Sequence, residues 1–218
     1  MKKYIPCVLL LLGLFPVLTA CGGYDYQKHV SEIRSDLFRA ETEEFSVTLA
    51  CISREYPYAL DGVAAERSDL IEITLVPADK TAQDYTVTVL GEKNYGGEMS
   101  YRNVRGDYFY SQGVTEFPKE SVSLNVEWEG ETREILATSV KNENTLSPEE
   151  ALKHALKHEK ETVEKLTQNG SFAGEFHVRL LRREINYYYV GITDTNGNTI
   201  ALLLNSETGD LLARREMH

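Results

Sequence analysis

The chain has 218 residues, of which 42% are hydrophobic and 26% are charged, as is typical of a folded protein with a buried core. It carries 34 acidic against 23 basic residues, a net charge of −11. Because proteins bind phosphate backbones by neutralising them with Lys and Arg, this balance excludes nucleic acid as an expected partner. It also argues against electrostatic binding of the folded part to anionic lipid.

The first 20 residues have the features of a secretory signal peptide. Lys2 and Lys3 precede an almost unbroken apolar run, residues 5–18, which is shorter than the roughly 20 residues that span a bilayer. The run ends in Leu18-Thr19-Ala20-Cys21. This sequence resembles the lipobox of bacterial lipoproteins, in which an aliphatic residue and two small or polar residues precede a Cys.

The resemblance implies that a peptidase cleaves after Ala20 and that the thiol of Cys21 carries diacylglycerol. Two or more acyl chains then give stable membrane anchoring. Loss of Lys2 and Lys3 changes the net charge from −11 to −13. We therefore expect an extracytoplasmic protein of the bacterial cell envelope, tethered to a membrane by lipid. The alternative is an ordinary secretory signal followed by a coincidental Cys.

Cysteine usage agrees with this expectation. Cys7 is lost with the signal peptide and Cys21 is lipidated, so only Cys51 remains and no intramolecular disulfide is expected. Cys51 lies within the apolar residues 47–52, and no basic or His neighbour in sequence would lower its pKa. We interpret it as a small buried hydrophobic residue and not as a nucleophile.

Residues 21–140 are predicted to form a tether, a helix and a β-sandwich. Gly22 and Gly23 begin the tether, and the apolar spacing within residues 24–44 predicts an amphipathic helix. Residues 45–140 contain about seven short strands that alternate apolar and polar residues and are separated by turns. This pattern predicts a β-sandwich and resembles immunoglobulin-like sandwiches in pattern only. The predicted strands are 45–51, 70–75, 85–89, 98–101, 108–111, 122–128 and a partner strand through 135.

Residues 147–218 are predicted to form an α+β domain after a polar boundary at 141–146. Ser147 and Glu150 form a capping box with Pro148 at the first helical position, and Asn169-Gly170 ends the helix. Four strands follow, separated by short Gly-containing turns; they are 176–181, 185–193, 199–205 and 211–214. The fold class is therefore mainly β, a sandwich followed by a helix and an antiparallel meander.

This last third resembles a PepSY-type domain. The resemblance depends on the opening Ser147-Pro148-Glu149-Glu150-Ala151-Leu152, the strand Tyr187-Tyr188-Tyr189-Val190-Gly191-Ile192 and the ending Leu203-Leu204-Asn205-Ser206-Glu207-Thr208-Gly209-Asp210-Leu211-Leu212. Asn205 stands where the family usually has Asp. The resemblance implies an α+β fold with no catalytic residues, and a role in inhibiting peptidases or in modulating the local envelope environment.

Two groups of side chains are weighed as ligand contacts, a His pair and a Tyr pair. His154 and His158 lie four residues apart on the predicted helix, a spacing that can bind zinc, but the nearby Lys residues favour a solvated charged face and no metal. Tyr108 and Tyr110 are the candidate ligand contacts, because exposed Tyr rings stack on sugars or peptides. The alternative, which the ordinary aromatic content of 10% favours, is that these Tyr rings fill the rim of a β-core. We interpret Arg105-Gly106-Asp107 as turn chemistry and not as an adhesion motif.

Three functions are compatible with these patterns. The first is a non-catalytic binding module whose partner is a peptide, a protease or another envelope protein, bound by strand addition. The second is carbohydrate or cell-wall binding through exposed Tyr. The third is a hydrolase whose active-site carboxylates are scattered along the sequence. Phosphate loops, nucleophile elbows and dinucleotide fingerprints are absent, so no motif identifies such an active site. No cofactor is expected.

Overall fold

The computed structural model describes residues 24–79 and 84–217. The predicted signal peptide, Ala20 and Cys21 lie outside these ranges. After a 3₁₀ turn at Tyr26–His29, the first part of the described chain consists of strands: β1 (Val30–Glu41), β2 (Phe45–Glu55), β3 (Arg67–Pro77), β4 (Tyr85–Val89), β5 (Tyr95–Glu98), β6 (Ser100–Arg102), β7 (Asp107–Gly113), β8 (Ser121–Trp128) and β9 (Glu131–Ser139).

The second part contains two helices and a meander. Its elements are α1 (Pro148–His158), α2 (Lys160–Leu166), the two-residue strands β10 (Thr167–Gln168) and β11 (Ser171–Phe172), β12 (Gly174–Arg182), β13 (Asn186–Asp194), β14 (Thr199–Asn205) and β15 (Leu211–Met217). Within the ranges that the structure describes, no helix is long and apolar enough to cross a membrane. The predicted fold class, mainly β with a sandwich followed by a helix and meander, is confirmed.

The amphipathic helix predicted within residues 24–44 is wrong, because Val30–Glu41 forms the strand β1. β2 pairs with β1 along one edge. On the other edge, β12 pairs in parallel with the start of β1, and β9 pairs antiparallel with Phe38 and Arg39. The apolar spacing has a tertiary cause, since Val30 and Phe38 pack into two different cores. Partners more than 100 residues away override local helix propensity.

The first core lies between two layers of the sandwich. One layer has the order β1-β2-β3-β7-β6, and the other has β9-β8-β4-β5. Alternate residues of each strand face inward, as the sequence pattern predicts. The largest fully buried side chains of this core include Phe38, Phe45, Leu49, Ile71, Ile73, Leu75 and Leu124.

The second core lies between the helices and one face of the sheet β1-β12-β13-β14. The predicted capping box is present at the start of α1, where Ser147 and Glu150 exchange hydrogen bonds. Val30 and Leu37 of β1 and Ala50 and Ile52 of β2 also enter this core, so the two cores share two strands. The division into domains 45–140 and 147–218 stays a prediction. The main members of the second core are Leu152, Ala155, Phe176, Val178, Leu180, Tyr188, Val190, Leu202 and Leu204.

Candidate functional site

The outer edge of β15 is the most open strand edge of the C-terminal sheet. β15 pairs with β14 and, within the described residues, with no other strand. All seven of its residues are exposed. An unpaired edge presents a row of backbone N–H and C=O groups that can bond to another chain.

An ion pair holds β15 against the helices. The chain bends between α1 and α2 at Glu159, whose carboxylate accepts hydrogen bonds from Arg214 Nε at 2.6 Å and from Nη2 at 3.4 Å. Burial alone would raise the pKa of Glu159, but the guanidinium of Arg214 holds it below its usual value. Arg214 also contacts Glu216 at 2.7 Å. The strand is thus fixed in place by side chains on its helix-facing side.

The turn before β15 packs against the two histidines of α1. Gly209 has a φ of +72°, and a Cβ added there would lie 2.2 Å from His154 Nδ1. His158 Nε2 lies 3.1 Å from the carbonyl oxygen of Gly209, to which it donates. Both histidines therefore face this turn. No group of three or more His, Cys, Asp or Glu in residues 24–79 and 84–217 is arranged to hold a metal ion.

A buried polar cluster lies where β1 meets β12. Ser31 Oγ is 2.9 Å from His177 Nε2, and Glu175 Oε2 is 3.6 Å from the same nitrogen. None of the three residues is more than 1% exposed. The sequence offered no sign of this cluster, since Ser31 and His177 are 146 positions apart and a lone His on a strand has no motif.

Burial disfavours the charged forms of His177 and Glu175. Loss of solvent lowers the pKa of His177 to about 4, and the nearby Arg179 acts in the same direction. Burial raises the pKa of the Glu175 carboxyl despite the hydrogen bond that it accepts from the Gly62 amide. Its Oε2 accepts no hydrogen bond of standard geometry in the described part of the chain.

Residues 56–66, which we call the cover loop, close this cluster from outside. The Gly62 amide donates to Glu175 Oε1 at 3.0 Å, and the Tyr58 hydroxyl accepts from Arg179 at 2.5 Å. The loop is also tied to β2, since both oxygens of the Glu55 carboxylate accept hydrogen bonds from loop amides. The loop seals the polar groups that the end of the sheet would otherwise expose.

The Ser31, His177 and Glu175 arrangement differs from a catalytic triad in two ways. In a triad, the serine and the acid contact different ring nitrogens, so that the acid orients the base that activates the serine. Here both Ser31 and Glu175 approach Nε2. The serine is also fully buried, whereas a nucleophile must reach a substrate. This geometry favours a structural cluster.

The structure does not expose the Tyr pair predicted from sequence. Tyr108 is 3% exposed, and its ring packs 4.6 Å from that of Tyr85 and 5.0 Å from that of Tyr101. Tyr110 is half-buried against the same core, and its hydroxyl bonds to Gln112. The prediction that Tyr108 and Tyr110 form an exposed stacking surface is therefore wrong for Tyr108. Both side chains point to the inner face of β7, where long-range packing covers them.

Two other interpretations from sequence agree with the structure. Asp107 is held by Arg102 through hydrogen bonds of 2.6 and 2.8 Å, and Gly106 has a φ of +68°, so this segment is a turn. Cys51 is 1% exposed, and burial raises the pKa of its thiol to about 12. A thiol with so high a pKa is not a nucleophile at neutral pH.

A comparison with family models, with curated proteins and with solved structures finds no match for this chain. Geometry and sequence chemistry are therefore the grounds on which a function can be proposed. The two features that bear on it are the open edge of β15 and the closed cluster under the cover loop.

Proposed function

We propose that the protein is a lipid-anchored, extracytoplasmic module of the bacterial envelope that binds an extended segment of a peptide, a peptidase or another envelope protein. The segment adds to β15 as a further strand, and no covalent chemistry takes place. The single observation that carries this proposal is the exposed outer edge of β15. Strand addition draws its affinity from main-chain hydrogen bonds and its specificity from alternate side chains.

The edge of β15 has few of the features that normally prevent strand addition. Natural edges are protected by short length, by charged side chains, by Pro or by cover from another element. β15 is seven residues long and contains no Pro, and its charged side chains are Arg214, Arg215 and Glu216. At the far end of the same path of strands, β6 has only three residues and offers a much shorter template.

The two faces of β15 indicate which peptide would fit. The register places Ala213 and Arg215 beside Leu203 and Ala201 of β14, on the face away from the helices. Arg215 forms no ion pair within the described ranges, whereas Arg214 is occupied by Glu159. A segment that alternates an acidic residue opposite Arg215 with small or apolar neighbours would suit this face.

The sequence supports the location and the non-catalytic role. The lipobox-like Leu18-Thr19-Ala20-Cys21 supports a lipid anchor outside the cytosol. The resemblance of residues 147–218 to PepSY-type domains implies a partner among peptidases or envelope proteins. The resemblance implies an α+β fold, and helices followed by an antiparallel meander are compatible with it.

The proposal is tested by peptide selection on the anchored protein. The lipidated chain in nanodiscs is used to select displayed 12-residue peptides, with empty nanodiscs for counter-selection. Amide hydrogen exchange of the protein is then measured with and without the selected peptide, prepared by synthesis. We expect slower exchange in β15 and unchanged exchange in β13, which already pairs with strands on both sides. Enrichment of no peptide, or protection elsewhere, would contradict strand addition.

A matched pair of variants tests the side-chain argument. Arg215→Glu reverses the charge on β15 and should weaken an acidic peptide by about tenfold, the effect of 1.4 kcal/mol. Arg183→Glu makes the same charge change at an exposed position between β12 and β13. Equal affinities of the two variants would show that the charge of Arg215 takes no part in binding the peptide and would contradict the side-chain argument.

A further inference from the structure

The cover loop and the first described residues lie at the same end of the molecule. β1 begins at Val30, directly after the turn Tyr26–His29, and Glu32 pairs with Arg54 next to the end of β2. The cover loop follows β2 immediately. On one face of the sheet, the Tyr26 ring lies 6.0 Å from the Phe176 ring. On the opposite face, the Gly62 amide donates a hydrogen bond to Glu175, the residue before Phe176.

The cover loop presents apolar side chains to solvent. Tyr56 is 89% exposed, Val63 is 62% exposed and Leu60 is 52% exposed. Single exposed apolar residues are ordinary on protein surfaces, whereas exposed apolar residues that lie together are typical of interaction sites. These three lie within eight consecutive positions, 56–63, of one segment.

The hydrogen bonds beneath the loop fix which side faces outward. The carboxylates of Glu55 and Glu175 accept hydrogen bonds from three amides of the loop, at distances of 2.8 to 3.4 Å. A Cβ on Gly62 would lie 2.5 Å from the backbone of Asp194, so the loop rests directly on the turn between β13 and β14. Three backbone amides of the loop are thus turned inward, and the side chains of Tyr56, Leu60 and Val63 face outward together with the exposed Asp61 and Glu66.

The proposed lipid anchor places this end beside a bilayer. Cys21 precedes Tyr24 by three residues, which span at most about 11 Å of extended chain. Tyr24 is itself held to the sheet, since its hydroxyl accepts from the Phe172 amide at 2.9 Å. A lipid on Cys21 would therefore hold this end of the sheet close to the membrane surface.

We propose that the cover loop is a second membrane-contact site, which inserts Tyr56, Leu60 and Val63 into the interface of the bilayer to which Cys21 is anchored. This site depends on the lipid anchor of the proposed function. Tyr is enriched at membrane interfaces, where its ring is buried and its hydroxyl stays hydrated. The protein is strongly acidic, so the contact is apolar and does not depend on anionic lipid or on salt.

The contact sets the orientation of the protein. β2 has 11 residues and spans about 33 Å, and its far end lies near Leu75 of β3 and Tyr108 of β7. Val104, in the turn before β7, is therefore at the end far from the cover loop. The strands then rise from the bilayer, and the open edge of β15 faces sideways into the periplasmic or external space.

The test compares two matched substitutions, Val63→Cys in the cover loop and Val104→Cys at the far end. Each variant of the full lipidated chain is labelled with an environment-sensitive fluorophore, and Cys51 does not react because it is buried. The proteins are reconstituted in phosphatidylcholine vesicles that contain spin-labelled acyl chains. We expect quenching at position 63 to exceed that at position 104 by roughly twofold or more, since interfacial segments lie about 5–10 Å deep.

Three outcomes would overturn the inference, and the first two leave the proposed function intact. Flotation with the vesicles and equal quenching at both positions would leave the anchor intact and remove the second contact. A blue shift of the fluorophore emission at position 63 without quenching would show that the loop contacts a protein partner or a second copy of the chain and not the bilayer. Absence of flotation would remove the anchor together with everything that rests on it. Strand addition is measured separately, by peptide protection of β15.

Discussion

Glu32 of β1 and Arg179 of β12 lie 147 positions apart in the sequence and form a paired contact, with Nε–Oε1 and Nη2–Oε2 distances of 2.9 and 2.8 Å. Glu32 is 2% exposed. Burial alone would raise the pKa of its carboxyl, but the hydrogen bonds and charge of Arg179 hold that pKa below its usual value. The pair joins the sandwich strands to the C-terminal sheet across a parallel strand pair.

Arg179→Met should destabilise the protein by about 3 kcal/mol, because it leaves the carboxylate of Glu32 buried without its partner. The free energy of unfolding is measured by urea titration. Lys153→Met is the control, since Lys153 forms an exposed ion pair with Glu149 on the same helix. Similar losses for the two variants would show that the buried pair does not differ from a surface one.

Gly209→Ala should destabilise the protein more than Gly170→Ala. Both glycines have a positive φ, which costs an alanine roughly 1–2 kcal/mol. Only at Gly209 does the new Cβ also collide with the ring of His154, whereas at Gly170 no atom of residues 24–79 and 84–217 lies within 4 Å. Thermal unfolding of both variants measures the difference.

The double variant Gly209→Ala with His154→Ala separates the two causes. Removing the ring relieves the collision and leaves the backbone strain. We expect the double variant to recover part of the melting temperature that Gly209→Ala loses. If His154→Ala adds a further full loss instead, the steric explanation is wrong.

His177 should make stability depend on pH between about 4 and 6.5. The folded protein holds the pKa of His177 at about 4, whereas an unfolded His titrates near 6.5. The unfolded state therefore binds more protons in this window, and stability that is present above pH 6.5 is lost as the pH falls towards 4. The full loss is roughly 3 kcal/mol, since one pKa unit corresponds to about 1.4 kcal/mol.

The variant His177→Gln isolates this effect from the other groups of the cluster. Glu175, Glu32, Arg179 and Tyr58 face the ring and are present in both proteins. The pKa of Glu175 is raised, so its contribution has the opposite sign and is lost as the pH rises. The stability difference between wild type and variant should shrink from pH 6.5 to pH 4; a constant difference would contradict the buried neutral His.

Cys21→Ser should abolish membrane anchoring, because a hydroxyl cannot accept the thioether-linked lipid. We expect the variant to leave the membrane fraction or to accumulate as an uncleaved precursor. The measurements are metabolic labelling with palmitate and the mass of the N-terminal peptide. Cys51→Ser is the control, since this thiol is buried and should remain unlabelled in either protein. Unchanged processing and labelling of Cys21→Ser would rule out the anchor.

Local patterns succeed for some elements and fail for others. Alternation predicts β2, β4 and β8, and the capping box at Ser147 predicts the start of α1, because each of these signals depends on neighbours a few residues apart. The helix prediction fails at Val30–Glu41, whose apolar residues serve two cores and follow neither period cleanly. The surface assignment of Tyr108 fails because its burial depends on Tyr85 and Tyr101, which no local pattern connects to it.

The amino-acid sequence by itself predicts most of the strand and helix pattern. It also contains the acidic charge and the lipobox-like residues that predict an anchor at Cys21. These properties depend on short-range spacing or on simple composition. Three features come from the folded chain alone: β1 joins two cores, Ser31 meets His177 and Glu175 under the cover loop, and the outer edge of β15 pairs with no other described strand. Each of them depends on strand pairing between segments that are distant in sequence. The packing of the whole chain determines this pairing, so no short segment of the sequence predicts it.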